Sequence, residues 1–313
     1  MTLNPWRLRL LDVFDRVGTV RGVAAELRLS PSTVSQQLAV LESETGAQVF
    51  ERAGRSLRLT PTGRMLVERA RDLRDHMDSI EAELRDATTG VAGHLRVAGF
   101  ASSIEPILIP AIHELQAQHP RLLIEIQEIE PRASTTALHQ GLCDIVITVD
   151  EEDGSLLAPG IAVVPLATDP MQVVVPQTHR VASWDEVRLA ELAPDRWALD
   201  LPGTYLGELV PRHCRAEGFE PVVAGRFSSY AVVLAHVAAG FSVAVLPELA
   251  APLRPGLVRR PVVGLADRRI VAAVRRAGTA RPVVAAVLEA LRHVSGSRAA
   301  DHGRTELSAH RIR

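Results

Sequence analysis

Ser32, Thr33, Ser35, Gln36 and Gln37 crowd hydroxyls and amides, but no charge, into a short run of the chain. Such groups suit the edges of DNA bases. Glutamine can pair bidentately with adenine, serine and threonine bond to several bases, and a threonine methyl packs on the methyl of thymine. A solvated helix face would ordinarily carry Glu, Lys and Arg, so uncharged polarity here reads as base recognition, with a plain polar helix as the alternative.

The elements around these residues are those needed to hold them out. Val34, Leu38 and Leu41 recur at the spacing of a buried helical stripe. Ser30 supplies an N-cap oxygen and Pro31 sits at the first helical position, where its missing N–H costs nothing. Before this helix, Val20 to Leu27 forms a second one with Val23, Ala24 and Leu27 on one face and small Gly22, Ala24 and Ala25 where helices approach. Trp6, Leu10, Leu11, Phe14 and Val17 mark an earlier amphipathic helix stopped at Gly18. The three together form a trihelical DNA-binding core. Beyond it, the runs 49–52 and 56–59 predict a hairpin that presents Arg52, Arg55 and Arg58 outward to grip phosphate.

Thr60 and Pro61 then open a helix in which Leu66, Ala70, Leu73, Met77, Ile80 and Leu84 alternate spacings of four and three. The residues around this seam are charged, so the stripe is narrow, as for a partner helix rather than a broad core. A homodimer follows, and with it two reading heads that address half-sites of a pseudo-palindromic duplex. Small residues at 88–93 mark a hinge.

From Leu95 onward, short apolar runs alternate with helical stretches, which is α/β order. The charge divides the same way. Residues 1–75 hold twelve arginines against nine carboxylates, a net +3, which leaves −5 for the remainder of a chain whose total is −2. That asymmetry suits a basic reader attached to an acidic sensor. Cys143 and Cys214 are too few for a disulfide framework and read as small buried residues. No signal peptide or membrane-length apolar run is evident, so a cytoplasmic protein without membrane contact is expected. The eleven histidines show no metal-ligand spacing, and neither a phosphate-cradling glycine loop nor a nucleophile elbow is present. No enzyme, cofactor or metal is expected. Residues 295–313 lack periodicity and read as a flexible tail.

The segments VAAELRLSPSTVSQQLAVLE, TGAQVFER and RLTPTG, in this order, resemble the LysR-type transcriptional regulators along the full length. The resemblance implies a multidomain α+β fold: an N-terminal winged helix-turn-helix (1–60), a linker and dimerisation helix with hinge (61–90), and a C-terminal α/β two-lobed effector domain like a periplasmic binding protein (91–294). Lobe I takes about 91–165 plus 268–294, lobe II about 166–267. It also implies DNA contacts at Pro31, Ser32, Ser35 and Gln36. Many members carry Gln in place of Pro31 and Arg in place of Gln36, so their half-site preference does not transfer.

Within the implied cleft, Ser102 and Ser103 leave a strand and open a helix, where free N–H groups would welcome a carboxylate-bearing effector; simple helix capping is the equal alternative. The segments holding Pro131 and Arg132, Thr204, and Ser228 and Ser229 should face the same cleft, with Thr148 a further candidate. Arg132 would pair a ligand carboxylate, with a plain solvated charge as the commoner alternative for an exposed arginine. The implied partners are double-stranded DNA, further copies of the chain as dimer or tetramer, and a small-molecule effector, with RNA polymerase left open. Two other readings stand beside this one: an enzyme carrying a DNA-targeting head, and an architectural DNA binder that senses nothing.

Overall fold

The computed structural model describes residues 3–53, 56–89, 93–150 and 160–309. They form two units, Met1–Thr88 and Thr89–Arg313.

The first unit opens with α1 (Pro5–Val17), α2 (Val20–Leu27) and α3 (Pro31–Thr45). Each begins with a capping side chain: Asn4 accepts from the N–H of Trp6, Thr19 from that of Gly22 and Ser30 from that of Thr33. Gly18 and Gly46 end α1 and α3 in the left-handed conformation. Arg28 ends α2 the same way at φ 55°, the one positive-φ non-glycine among the described residues. Leu10, Leu11, Val23, Val34, Leu38 and Leu41 close the core between the helices.

β1 (Phe50–Ala53) and β2 (Ser56–Leu59) pair antiparallel as the wing. Glu42 on α3 ties the wing down, its carboxylate accepting from Val49 N and Phe50 N at 2.9 Å each. Thr60 then turns the chain: its hydroxyl donates to Gln48 O at 2.7 Å and accepts from Gly63 N at 3.0 Å. A Cβ at position 63 would lie 2.3 Å from Val49 O, so only glycine fits. The motif TPTG is thus a steric requirement for launching α4 (Pro61–Thr89) beside the wing.

α4 is held by charge as well as packing. Asp12 on α1 is only 4% exposed and receives Arg71 Nε and Arg74 Nη1, each at 2.6 Å, while Arg71 also reaches Asp15 at 2.8 Å. The expected seam therefore divides. Leu66, Val67 and Ala70 pack into the core of their own unit, whereas Leu73, Met77 and Ile80 are 41%, 45% and 44% exposed. The correction concerns Leu66 and Ala70, because heptad spacing is the same whether the stripe meets a partner or its own α1. The side chain of Leu84 lies outside the described residues.

The second unit holds two lobes. In the first, β3 (Gly93–Gly99), β4 (Leu122–Glu128), β5 (Ile145–Asp150), β6 (Ile161–Asp169) and β13 (Arg268–Arg275) form a sheet of order β4-β3-β5-β13-β6. β3 runs parallel to both neighbours; β13 is antiparallel to β5 and β6. α5 (Ala101–Ser103) widens into a π-turn at Ile104–Leu108 and continues as α6 (Ile109–Gln118). Pro106 lies in that turn, where an α-helical N–H bond could not be made. α7 (Ser134–His139) precedes β5.

In the second lobe, β7 (Met171–Pro176), β8 (Val187–Arg188), β11 (Ala244–Pro247) and β12 (Leu257–Val263) form the order β11-β7-β12-β8. β9 (Arg196–Leu199) and β10 (Val222–Arg226) pair parallel, and a Trp197–Val243 bridge joins them to the lobe. α8 (Tyr205–Ala216) and α9 (Tyr230–Ala238) cover this lobe. β6 stays in the first sheet through Asp169, so the chain leaves it four residues beyond the expected end of the first segment of lobe I at about residue 165.

The closing helix α10 (Pro282–Ala309) also runs beyond residue 294, where the tail was expected to begin. Ser295 is 1% exposed and Val294 packs on the core, so the expected tail begins inside a helix that burial extends. No helix among the described residues is long and apolar enough to cross a membrane.

Candidate functional site

On α3, Pro31, Ser32, Thr33, Ser35 and Gln36 are exposed, and the buried stripe of Val34, Leu38 and Leu41 turns them outward. Ser30 organises the near end: its hydroxyl lies 2.8 Å from Ser32 Oγ and 2.7 Å from Thr33 Oγ1 while capping Thr33 N at 3.0 Å. Those two hydroxyls are pre-oriented along the helix start. Gln37 is a correction to the predicted reading face. It is half-buried and its amide oxygen accepts from Arg7 Nε at 2.9 Å, while Arg7 also pairs with Glu44. Gln37 therefore knits α3 to α1.

The wing separates its arginines as well. Arg52 pairs in register with Leu57, and Arg58 with Glu51 on the alternate positions, so Arg52 and Arg58 leave opposite faces of the ribbon. Arg58 lines a hollow with Phe14, Asp15, Gly18 and Glu51, which corrects its expected place beside Arg52. Arg52 is exposed. Arg55 lies outside the described residues.

In the second unit, the chain passes between lobes where β6 ends and β13 begins, and the residues at those points bond to each other. Asp169 and Arg268 form an ion pair in which both side chains are 1% exposed, with Arg268 Nε 3.1 Å from Asp169 Oδ2. Arg268 Nη2 also donates to Ser102 Oγ at 3.0 Å, and the guanidinium lies 4.8 Å from the Phe100 ring centroid. Asp169 Oδ1 accepts from Leu249 N at 3.0 Å. Neither residue was singled out from sequence.

Beside this pair a cavity of about 110 Å³ is lined from both lobes: Phe100, Glu128, Glu130 and Pro131 on one side, Asp200, Thr204, Ser228 and Tyr230 among those on the other. Glu130 Oε2 accepts from Tyr205 N at 3.2 Å, so a carboxylate of lobe I sits on the first N–H of α8 in lobe II. Thr204 caps that helix by accepting from Gly207 N at 3.1 Å, and a Cβ at 207 would fall 1.9 Å from Leu201 O. The glycine lets the turn close.

Burial pushes the Glu130 carboxyl above its usual range, and the Asp200 charge adds to that; Tyr205 N–H, Arg132 and Arg268 oppose it. Burial raises the Asp200 carboxyl also, against bonds from Leu201 N–H and Thr204. The Tyr230 hydroxyl is raised chiefly by burial, with Asp200 and Glu130 contributing.

Of the predicted cleft residues, Pro131, Thr204 and Ser228 line the cavity. Ser102 and Ser103 are corrected: Ser103 is fully buried and donates to Phe100 O at 2.7 Å, and Ser102 is taken by Arg268. The expected welcome for a carboxylate at that helix start is absent because its hydroxyls are spent within the fold and the lining is acidic. Thr148 is also fully buried, its hydroxyl donating to Pro131 O at 3.4 Å, which positions the Pro131 turn from behind. Arg132 and Ser229 are exposed and stand outside the lining.

A trihelical head with a wing, followed by a two-lobed α/β unit with an interlobe cavity, defines a DNA-binding regulator with an effector domain. Residues 6–64 match the bacterial regulatory helix-turn-helix model of the lysR family, and residues 88–296 match the LysR substrate binding domain. The chain belongs to the LysR family and is a DNA-binding transcriptional regulator with a C-terminal effector-binding domain.

It is 27% identical over 263 residues to the DNA-binding transcriptional dual regulator OxyR of Escherichia coli K12, covering 83% of this chain and 85% of that one. It is 28% identical over 275 residues to a probable hydrogen peroxide-inducible genes activator of Mycobacterium leprae, covering 87% and 86%. A full-length cysteine-to-aspartate variant of OxyR from Pseudomonas aeruginosa shares the fold, with TM-score 0.65, 22% identity and coverage of 93% and 95%.

Proposed function

We propose that this regulator reads a pseudo-palindromic duplex as a homodimer, through Pro31, Ser32, Thr33, Ser35 and Gln36 in the major groove and Arg52 and Arg55 on phosphates. The observation that carries the reading is the exposed, uncharged polar face at the start of α3, set out by a buried apolar stripe. The exposed Leu73, Met77 and Ile80 on α4 supply the contact with a second copy, since apolar side chains at this spacing bury readily against a like helix.

The effector binds between the lobes, beside the Asp169–Arg268 pair, where both lobes contribute lining side chains. It acts by binding the closed arrangement of the lobes better than the open one; equal affinity for both would shift nothing. The relatives named as hydrogen peroxide-inducible activators raise peroxide as an alternative signal. Cys143 and Cys214 do not favour it here. Both are fully buried, and burial pushes their thiols up to about 11 and about 12, so at neutral pH they are protonated and shielded.

The test is a nuclease footprint on the DNA flanking the gene, with and without effector, run beside transcription with purified RNA polymerase. Two protected half-sites one or more helical turns apart, with a protected length that changes on effector addition, are expected. A single half-site contact, or a footprint indifferent to every ligand that binds, would overturn the reading.

A further inference from the structure

The charges around the interlobe cavity specify what the effector must be. Three carboxylates line it, Glu128 and Glu130 from lobe I and Asp200 from lobe II, against one guanidinium, that of Arg268. Arg268 is already committed to Asp169 in an ion pair buried on both sides, with Ser102 and the Phe100 ring taking further parts of the guanidinium, and its remaining pull on Glu130 is outweighed by burial. Arg132 and Arg226 stand outside the lining, and Arg226 is directed at the backbone, its Nη1 donating to Asp200 O at 3.2 Å.

Such a lining repels anions and leaves carboxylate oxygens to be matched. Phe100, Tyr205 and Tyr230 add aromatic wall to the same space. Aromatic faces and carboxylates together are the chemistry that selects ammonium and amidinium groups over neutral isosteres.

We propose that the effector is a small organic cation, a protonated amine or amidine, clasped between Glu130 of lobe I and Asp200 of lobe II. This rests on the interlobe cavity being the effector site. It also supplies the differential affinity that switching needs. Without a cation, closing the lobes brings two carboxylates into one desolvated space, and like charges there oppose closure. With one, the same two groups pull the lobes together.

Isothermal titration of the full-length protein with benzylamine, benzyl alcohol and benzoate separates charge from shape, and benzamidine adds an amidinium cation. At least one of the two cations should bind tenfold or more tighter than benzyl alcohol, with benzoate weakest. The nearly isosteric Asp200→Asn and Glu130→Gln should each erase that preference while leaving the thermal unfolding transition cooperative. No preference for either cation over benzyl alcohol overturns the proposal, as does tighter binding of benzoate. Ser228→Trp, which fills the cavity mouth, tells the two failures apart. Benzoate binding lost in that variant would keep the cleft as effector site and refute only its charge class. Ligand binding untouched by it would refute the cleft itself.

Discussion

Asp169, the last residue of β6, and Arg268, the first of β13, are paired in register and bonded through side chains that solvent does not reach. They sit where the two strands linking the lobes leave the first sheet. A buried pair of this kind contributes little over an apolar pair of the same volume, but breaking it strands a charge. Asp169→Asn should therefore destabilise the second unit by about 3–5 kcal/mol. Asp169→Leu combined with Arg268→Met should cost well under the sum of the single changes, leaving mainly the unpaired Leu249 N–H. Urea unfolding of the four variants measures the coupling, and strict additivity would contradict it.

Gln36→Ala and Gln37→Ala should part company although the residues are adjacent. Gln36 is exposed on the proposed reading face, so its loss should cost about 1–3 kcal/mol at one base position and relax specificity there. Gln37 is bonded to Arg7, so its loss should lower the stability of the head by about 1 kcal/mol and weaken all sequences alike. Arg52→Ala should also act on all sequences, but it should reduce the salt slope by about one without lowering stability. Binding titrations on an operator and its single-base variants at several salt concentrations, with thermal melts, distinguish the three.

How far the sequence reveals these arrangements depends on distance along the chain. The three helices of the head carry their own punctuation, such as Ser30-Pro31 at the start of α3 and Gly18 after α1, so each was legible from a few adjacent residues. Gln37 was not, because its partner Arg7 lies thirty residues away on another helix. Leu66 and Ala70 have the spacing of a coiled-coil seam, yet spacing alone does not say whether α1 or a second chain covers them. In the second unit the α/β order and the return of β13 to the first sheet were legible, the latter through the family resemblance. The Asp169–Arg268 pair spans ninety-nine residues and carries no local pattern. The cleft's acidity was missed for a different reason: only folding turns Glu130 into the cavity while leaving Arg132, two residues on, outside it.

The divided stripe on α4 makes a contrast that a uniform seam would not. Leu73→Asp or Met77→Asp places a charge on an exposed apolar position and should dissociate the dimer while the head keeps its melting temperature. Ala70→Asp buries an unpaired carboxylate in the head's own core and should destabilise folding by about 3 kcal/mol or more. Sedimentation equilibrium and circular dichroism on the same samples check both. A Leu73→Asp protein that stays dimeric would remove α4 from the interface.

Arg28 offers a stabilising change. At φ 55° it pays the left-handed penalty of roughly 1–2 kcal/mol that glycine avoids. Arg28→Gly gives part of that back through the greater freedom of the unfolded chain. The net gain should be about 0.5–1 kcal/mol. A thermal melt of the head reads it directly, and a loss of stability would mean that the Arg28 side chain makes a contact that outweighs its backbone cost.

The two thiols set a pH limit whose sign is fixed by burial. Folding raises Cys143 from an ordinary value of 9.0 to about 11 and Cys214 from 9.0 to about 12, so the folded state holds these protons more tightly than the unfolded one. The associated stability is complete below pH 9 and drains away as pH rises from there through the folded values, at up to about 1.4 kcal/mol per pH unit for each thiol. Stability should accordingly be insensitive to these groups at pH 7–8 and fall between pH 9 and 11, and a Cys143→Ala, Cys214→Ala protein should lack that part of the fall. At pH 7.5, iodoacetamide and hydrogen peroxide should modify the native thiols only as fast as the protein unfolds, and peroxide should leave operator affinity unchanged. Rapid labelling of either cysteine in the folded state would restore thiol chemistry as a signalling route.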